Sequence, residues 1–206
     1  MLAKWTVRKA GFEVPLILYQ PDTVFSGGRV FDEVMSHVDV LPTLLDYVGE
    51  TIPANVQGNS FMPFIRGTAT APPRDAAFAQ YTPDMKRDNT SRSIITNSYH
   101  LIRYFDAGRT VAYPVDVHPP TFANHEQRCR TVGTRPFVQL FDIQADPYEL
   151  HDIAGQAENA ETVAELSKRL LAWMASVGDP LLAGPVPTPY YERAIADLID
   201  RDECRG

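Results

Sequence analysis

The sequence predicts an α+β fold, in which the edge of an α/β sheet precedes a four-stranded antiparallel sheet that a C-terminal helix covers. Three observations predict it: an apolar run followed by an amphipathic helix, four short strand-like segments, and one long amphipathic helix near the end. A strand followed by a helix indicates α/β layering. An open four-stranded sheet needs a cover for its apolar face, and the last helix is the available cover.

The first quarter of the chain supplies the α/β elements. Residues 14–19 (VPLILY) are continuously apolar, as is typical of a strand buried on both faces, and residues 29–34 are predicted to form a second short strand. A helix is expected after Asp39, its predicted N-cap. The helix should end at Gly49 and carry leucines on one face (Leu41, Leu44, Leu45, with Val48). A brief helix is expected over residues 61–66.

The remainder of the chain supplies the sheet and its cover. Strands are predicted at 76–81, 91–96, 99–105 and 138–142, with Asn97 and Ser98 in a hairpin turn that His100 follows as an exposed or packed residue. Residues 162–177 form the covering helix, with its apolar face made by Val163, Leu166, Leu170 and Trp173. The stretch from 108 to 136 reads as a long irregular loop, a kind of segment that is usually functional or disordered.

Charge and composition exclude several classes of partner. The formal net charge of -7 makes nucleic acid and anionic membranes unexpected partners. No apolar run approaches the roughly 18 residues of a membrane span, and no apolar stretch of signal-peptide length precedes Arg8. The expectation for the chain as it stands is therefore a cytoplasmic location. Cys129 and Cys204 are interpreted as ordinary free thiols.

Four segments, in order, resemble the C-terminal portion of sulfatases of the alkaline phosphatase superfamily. They are Lys4 followed eleven residues later by PLI at 15–17; SHVDVLPTLL at 36–45 with VQGNSF at 56–61; RSIITNSYHLI at 92–102; and QLFDI at 139–143 with DPYEL at 146–150. Between Lys4 and Pro15 the chain departs from the family's usual Tyr-Glu and Val-Arg pattern. The run YPVD at 113–116, PTF at 120–122, Trp173 and GDP at 178–180 resemble the heparan N-sulfatase (sulfamidase) group.

The resemblance implies a division of the chain. Residues 1–74 would be a remnant of the sulfatase α/β catalytic domain, residues 75–180 a C-terminal subdomain built on the antiparallel sheet, and residues 181–206 a tail. It also implies that the parent enzyme uses a formylglycine, made from Cys or Ser in a C/S-x-P-x-R motif. One divalent cation, calcium or magnesium, would be held by Asp and Asn oxygens.

The chain itself carries neither feature. No cysteine or serine has Pro two residues and Arg four residues further on. The pair Asp88-Asn89 follows the segments that the family's metal-binding dipeptide should precede, so it is interpreted as a polar turn. We therefore expect no catalytic residue, metal ligand or cofactor in this chain.

By resemblance, four residues are candidates for substrate binding. The spacing of Lys4 to Pro15 matches the family's cation that contacts the sulfate group. Asp116, His118 and His125 lie in the long loop, which would border the substrate pocket in sulfamidase-like proteins. An alternative for each is an ordinary surface residue.

The resemblance implies that the chain is the C-terminal portion of a sulfatase-family hydrolase that cleaves a sulfate ester or sulfamate on a sulfated sugar. Alone, the chain is predicted to be inactive. The expected partners are a sulfated small molecule or glycan, and an N-terminal half or a second copy that covers an exposed sheet edge. The alternatives are a non-catalytic sulfated-glycan binding module, a complementing subunit of a split sulfatase, and a phosphate or phosphonate monoester hydrolase of the same superfamily.

Overall fold

A computed structural model describes residues 6–82, 90–105 and 136–185. Its helices are α1 (Lys9–Phe12), α2 (Val40–Val48), α3 (Met62–Ile65) and α4 (Ala160–Ser176), with 3₁₀ turns at His37–Asp39, Ala157–Asn159 and Pro180–Leu182. Its strands are β1 (Ala76–Tyr81), β2 (Ser91–Thr96), β3 (Tyr99–Tyr104) and β4 (Val138–Asp142). The α+β class is confirmed.

The four strands form one antiparallel sheet in the order β1-β2-β3-β4. Each strand pairs with its neighbours in the chain, so Ile94 lies opposite Leu101 and Leu101 lies opposite Leu140. The hairpin at Asn97 and Ser98 is confirmed, and β3 ends one residue earlier than predicted. Alternate side chains of each strand therefore point to opposite faces of the sheet.

Helix α4 covers one face of the sheet, as predicted. Leu166, Leu170 and Met174 are buried against a row of strand residues, namely Ala76, Ile94, Leu101 and Leu140. The ring of Trp173 stacks on Phe78, with the centroids 4.8 Å apart. Burying a leucine-sized side chain contributes about 1.5–3 kcal/mol. This apolar layer is therefore the main source of stability for the sheet.

The opposite face of the sheet is covered by the segment around α1, which the sequence had not predicted. Val7 packs in one buried cluster with Ile102, Tyr104 and Phe141. Val7 is separated from these residues by more than ninety positions. Only the folded chain brings them together, so no local pattern could indicate this layer.

The predicted helix after Asp39 is confirmed as α2. Its N-cap is Asp39, as predicted, and the helix itself begins at Val40. A 3₁₀ turn over His37–Asp39 precedes it, and Ser36 and Asp39 form the capping box of that turn. Gly49 ends α2 with φ 81°, the left-handed conformation that glycine adopts easily. The predicted apolar face is exposed in three of its four positions (Leu41, Leu44 and Val48), while Pro42 and Thr43 are buried.

Two predicted strands are wrong. Residues 14–19 and 29–34 are not strands, and Ile17 leaves 84% of its surface exposed. A strand of a parallel sheet needs hydrogen-bonding neighbours, and all strands among the described residues belong to the four-stranded sheet. The predicted edge of an α/β sheet therefore has no partner strands in this part of the chain.

Helix α3 confirms the predicted brief helix at 61–66. The long loop, the pair Asp88-Asn89 and the tail fall outside the described residues. The domain division at 74 and 180 stays a prediction. Among the helices that the structure describes, none combines the length and apolar character needed to cross a membrane.

Candidate functional site

The four predicted substrate residues lie outside the described residues. Lys4 belongs to the stretch 1–5, and Asp116, His118 and His125 belong to the stretch 106–135. The structure therefore neither groups nor separates them. It does show the described residues that border these stretches.

Described residues next to each of the two stretches contact the same sheet. The stretch 106–135 connects β3 to β4, and its stems are held together because the amide of Tyr104 donates to the carbonyl of Phe137 at 3.0 Å. Val7, three positions after Lys4, packs against the side chain of Tyr104. Val7, near Lys4 in the chain, and Tyr104 and Phe137, which flank the long loop, thus lie together at one end of the sheet.

A buried polar cluster lies on this face of the sheet. We call it the Glu149 cluster and define it by five residues: Arg8, Lys9, His100, Gln139 and Glu149. The Glu149 side chain accepts a hydrogen bond from the backbone N–H of Lys9 at 3.0 Å, and its other oxygen contacts Nδ1 of His100. Because an ionised carboxylate only accepts hydrogen bonds, Nδ1 of His100 is assigned as a donor.

Arg8 fixes the cluster from the N-terminal side. Its guanidinium donates to the carbonyl oxygen of Glu149 at 2.8 Å and to Oε1 of Gln139 at 3.2 Å. The same guanidinium lies 4.4 Å from the ring centroid of Phe141, a cation–π distance. Tyr104 donates its hydroxyl to the same Gln139 oxygen at 2.9 Å. Gln139 thus links Arg8 to the end of β3.

Glu149 adopts an uncommon backbone conformation. Its φ of 55° lies in the left-handed region that favours glycine, and only 5% of its surface is exposed. The preceding turn sets this conformation, since the amide of Glu149 donates to the carbonyl of Asp146 at 3.0 Å. The turn therefore directs the Glu149 carboxylate into the sheet face rather than towards water.

His100 is fully buried, and the sequence left open whether it would be exposed or packed. Phe12 approaches its ring edge-on, with the centroids 5.6 Å apart. Among the described residues, Nε2 of His100 and Oγ of Ser93, on the same sheet face, have no hydrogen-bond partner. Most buried polar atoms do have a partner, so these two atoms suit a bound water or an additional polar group.

A second buried cluster explains the SHVD and QGNS motifs of the sequence by packing and hydrogen bonding, without a catalytic role. The carboxylate of Asp39 accepts from the backbone amides of Ser36 at 3.0 Å and Asn59 at 2.9 Å, and it pairs with Arg74. Gly58 lies so close to this turn that a Cβ there would sit 1.8 Å from the carbonyl oxygen of Val38. These residues hold α2 against α3 and have a structural role.

A third buried charge pair joins the sheet to the end of α4. The guanidinium of Arg92 contacts both carboxylate oxygens of Asp179, with Nη2 3.1 Å from Oδ1. The hydrogen bond from Arg92 holds the pKa of Asp179 below its ordinary value, against the opposing effect of burial. Asp179 also accepts from the amide of Leu181 at 3.0 Å, which caps the last 3₁₀ turn.

An open depression beside the β4 turn does not suit a sulfated ligand. Its volume is about 430 Å³, and its lining includes the acidic side chains of Asp142, Asp146 and Glu158. Negative charge repels a sulfate group. The described residues also hold no group of three or more His, Cys, Asp or Glu side chains arranged to bind a metal ion. The divalent cation that the family resemblance implies therefore does not fit this part of the chain.

Comparison with known proteins identifies the family. The family described as "N-sulphoglucosamine sulphohydrolase, C-terminal" matches residues 2–126, which is more than half of the 206 residues. The chain is 27% identical over 214 aligned residues to an ulvan-active sulfatase of Formosa agariphila, covering 98% of this chain and 41% of that protein. It is 26% identical over 161 residues to an N-acetylglucosamine-6-O-sulfatase of Bacteroides thetaiotaomicron, covering 76% and 24%.

A solved structure shares the fold. A Bacteroides thetaiotaomicron protein from the metabolism of multiple glycosaminoglycans superposes with a TM-score of 0.51 at 24% identity, over 82% of this chain and 30% of that one. The chain spans less than half the length of each of these relatives. The match at the level of family agrees with the resemblance seen in the sequence motifs.

Proposed function

Because the chain belongs to the N-sulphoglucosamine sulphohydrolase C-terminal family, as a C-terminal sulfatase part of the alkaline phosphatase superfamily, we propose a role for it in desulfation. It forms part of a hydrolase that removes sulfate from a sulfated sugar. The match over residues 2–126 is the observation that carries this proposal. The sulfatases named among its relatives support the substrate class.

The proposed reaction needs groups that this chain does not encode. Hydrolysis of a sulfate ester or sulfamate requires a nucleophile, cations that hold the sulfonate oxygens, and an acid for the leaving group. The C/S-x-P-x-R motif is absent from the sequence. We infer that the formylglycine and the calcium or magnesium site are supplied from outside these residues, and that the chain alone does not turn over substrate.

Within the proposal, Lys4 contacts the sulfate group. A lysine ammonium is a compact point charge with three donors, and it suits an anionic oxygen cluster. The long-loop residues Asp116, His118 and His125 would border the sugar and set substrate preference. The support for a common site is that described residues flanking the two stretches, Val7, Tyr104 and Phe137, lie together on the sheet.

Titration of the chain with N-sulfated glucosamine tests this role of Lys4. The expected result is weak binding without hydrolysis, monitored by NMR over the millimolar range, and a loss of about tenfold in affinity for Lys4→Ala, equivalent to one charge-assisted contact. Lys168→Ala, on the exposed side of α4, is the matched control. Equal affinity of both variants would contradict the assignment of Lys4. Phosphate monoesters, run in parallel, separate the sulfatase proposal from its phosphatase alternative.

A second candidate function is that of a complementing subunit. It is favoured by exposed apolar residues in the N-terminal quarter, namely Val14, Leu16, Ile17, Tyr19, Leu41, Leu44 and Val48. Large apolar side chains left exposed in such number are a common feature of protein interfaces. Sedimentation of the purified chain, alone and mixed with a separately expressed N-terminal sulfatase half, tests it. Recovery of aryl sulfatase activity on mixing would support the complementing role, and a monomer that never associates would contradict it.

A further inference from the structure

Helix α2 carries its polar contacts on the side that packs against the rest of the chain. Thr43 is buried, and its hydroxyl accepts a hydrogen bond from the amide of Phe61 at 3.0 Å. Asp46, on the same side of the helix, pairs with Arg66 at 3.0 Å and accepts from the hydroxyl of Ser60. These hydrogen-bonding side chains of α2 therefore face inward.

The opposite side of α2 carries aliphatic side chains that stay exposed. Leu41, Leu44 and Val48 follow one another at spacings of three and four residues, so they form one stripe along the helix. These three residues leave between 41% and 66% of their surface exposed. A surface helix ordinarily has the reverse arrangement, with apolar residues inward and polar residues outward. The arrangement in α2 is typical of a helix that lies between two layers of a protein.

The stretch 14–19 is a second exposed apolar feature, and it begins beside the same helix. Its residues make no backbone hydrogen bond to any other residue that the structure describes. The next residue, Gln20, accepts a hydrogen bond from the hydroxyl of Tyr47 in α2, which holds the end of the stretch near the helix. An apolar stretch whose backbone groups are unpaired suits the edge of a sheet that another part of a protein supplies.

We propose that the stripe of α2 and the stretch 14–19 form one docking surface for an α/β sheet that lies outside these 206 residues. The stripe packs on the face of that sheet, and the stretch 14–19 pairs with its edge. This inference rests on the function proposed above and deepens it. It names the surface through which the chain joins the part of a sulfatase that carries the catalytic groups.

The length of the relatives favours this partner over a second copy of the chain. The match to the ulvan-active sulfatase takes in 98% of this chain but only 41% of that protein, so more than half of the relative lies outside the match. A second copy offers no open sheet face among its described residues, because α4 covers one face and the segment around α1 covers the other. Two copies, each with a net charge of -7, also repel one another.

Co-expression of the full chain with an N-terminal sulfatase half tests the proposal, since the two can then fold together. The chain carries an affinity tag, and the amount of the half that co-purifies is measured, followed by amide hydrogen exchange of the complex. Leu44→Asp places a charge on the stripe, and Ile17→Asp places one on the stretch 14–19. Both residues are exposed, so neither change disturbs the described core. Leu171→Asp, on the exposed side of α4, is the matched control.

The expected result is co-purification of the half with the parent chain in equal amounts. Amides of residues 16–19 should exchange at least about tenfold more slowly in the complex than in the chain alone, because they become hydrogen-bonded. Leu44→Asp and Ile17→Asp should each lower the recovery of the half about tenfold, since a charge would be buried without a partner. Leu171→Asp should recover as much of the half as the parent chain does.

Other results overturn the inference. They are failure of the half to co-purify, recovery that Leu44→Asp or Ile17→Asp leaves unchanged, and a complex in which residues 16–19 stay unprotected. A dimer of the chain alone, with residues 16–19 protected, would assign the surface to a second copy instead. These readouts report assembly and not turnover. A complex that assembles but removes no sulfate would contradict the proposed function and leave the docking surface standing.

Discussion

Two fully buried carboxylates among the described residues, Asp39 and Asp179, are each paired with an arginine and hydrogen-bonded to the backbone. Asp39 receives two backbone amides besides Arg74, and Asp179 receives a backbone amide besides Arg92. Removing one member of such a set leaves an uncompensated charge, which costs more than the intact pair contributes. Single substitutions at these positions should therefore have large effects.

Asp179→Asn is expected to destabilise the fold by about 3–5 kcal/mol at neutral pH, because Arg92 is left buried without its counter-charge. Since the pKa of Asp179 is lowered in the folded state, ionised Asp179 stabilises the fold above its unfolded pKa. That contribution is lost as the pH falls through the lowered folded-state pKa. Urea denaturation between neutral pH and pH 3 should show the unfolding free energies of the parent protein and of Asp179→Asn converging below about pH 4.

Asp75→Asn is the control for this prediction. The side chain of Asp75 is 82% exposed and pairs with Arg169 at 2.7 Å on the surface. Such pairs are worth about 0–1 kcal/mol. A constant stability difference for Asp179→Asn across the whole pH range would contradict the assigned pairing.

Gly58→Ala should disrupt the turn that carries the QGNS motif. The added Cβ would overlap the carbonyl group of Val38, which is backbone and cannot rotate away. We expect a loss of at least about 1–3 kcal/mol in thermal or chemical denaturation. Gly155→Ala has open space around the added methyl group and should change stability by less than about 1 kcal/mol. Equal effects of the two substitutions would refute the close approach.

At the scale of elements, local patterns predicted the sheet well. Each of the strands β1 to β4 pairs with a neighbour in the chain, and helix α4 carries its own apolar stripe, which packs on the sheet. The runs at 14–19 and 29–34 failed because a parallel strand depends on partners that its own sequence does not contain. Periodicity also placed the leucines of α2 on one face, but it could not tell whether anything covers that face.

The Glu149 cluster could not be predicted from the sequence for the same reason. Arg8 and Glu149 are 141 positions apart, and only the antiparallel sheet with its turn brings them into contact. Resemblance to a family did identify Lys4 and the DPYEL motif, but it assigned no task to Glu149. The four predicted substrate residues lie outside the described residues, and they stay predictions.

The covering role of α4 is tested by a pair of neighbouring leucines. Leu170 is buried against the sheet, whereas Leu171 is 55% exposed. Leu170→Ala should cost about 2–5 kcal/mol, through lost burial and the cavity that remains. Leu171→Ala should stay within about 0.5 kcal/mol of the parent in the same urea titration. A comparable loss in both variants would show that α4 packs in a different orientation.

For the whole molecule, the two faces of the sheet have different tasks. One face packs against α4 and stabilises the fold. The other face packs against Val7, which follows Lys4 in the chain. Tyr104, from which the chain continues towards the long loop, lies beside Val7 on that face. The apolar residues of the N-terminal quarter are exposed in this chain. On the function proposed above, this sulfatase part contacts the sulfate group and depends on other residues for the chemistry.

The most direct test of this account is turnover of an aryl sulfate and of N-sulfated glucosamine by the purified chain, with and without added calcium. The account predicts no desulfation above that of a mock preparation from the same host, in either condition. Desulfation that co-purifies with the chain, and that Lys4→Ala abolishes, would contradict it, since the catalytic groups would then have to lie within these 206 residues.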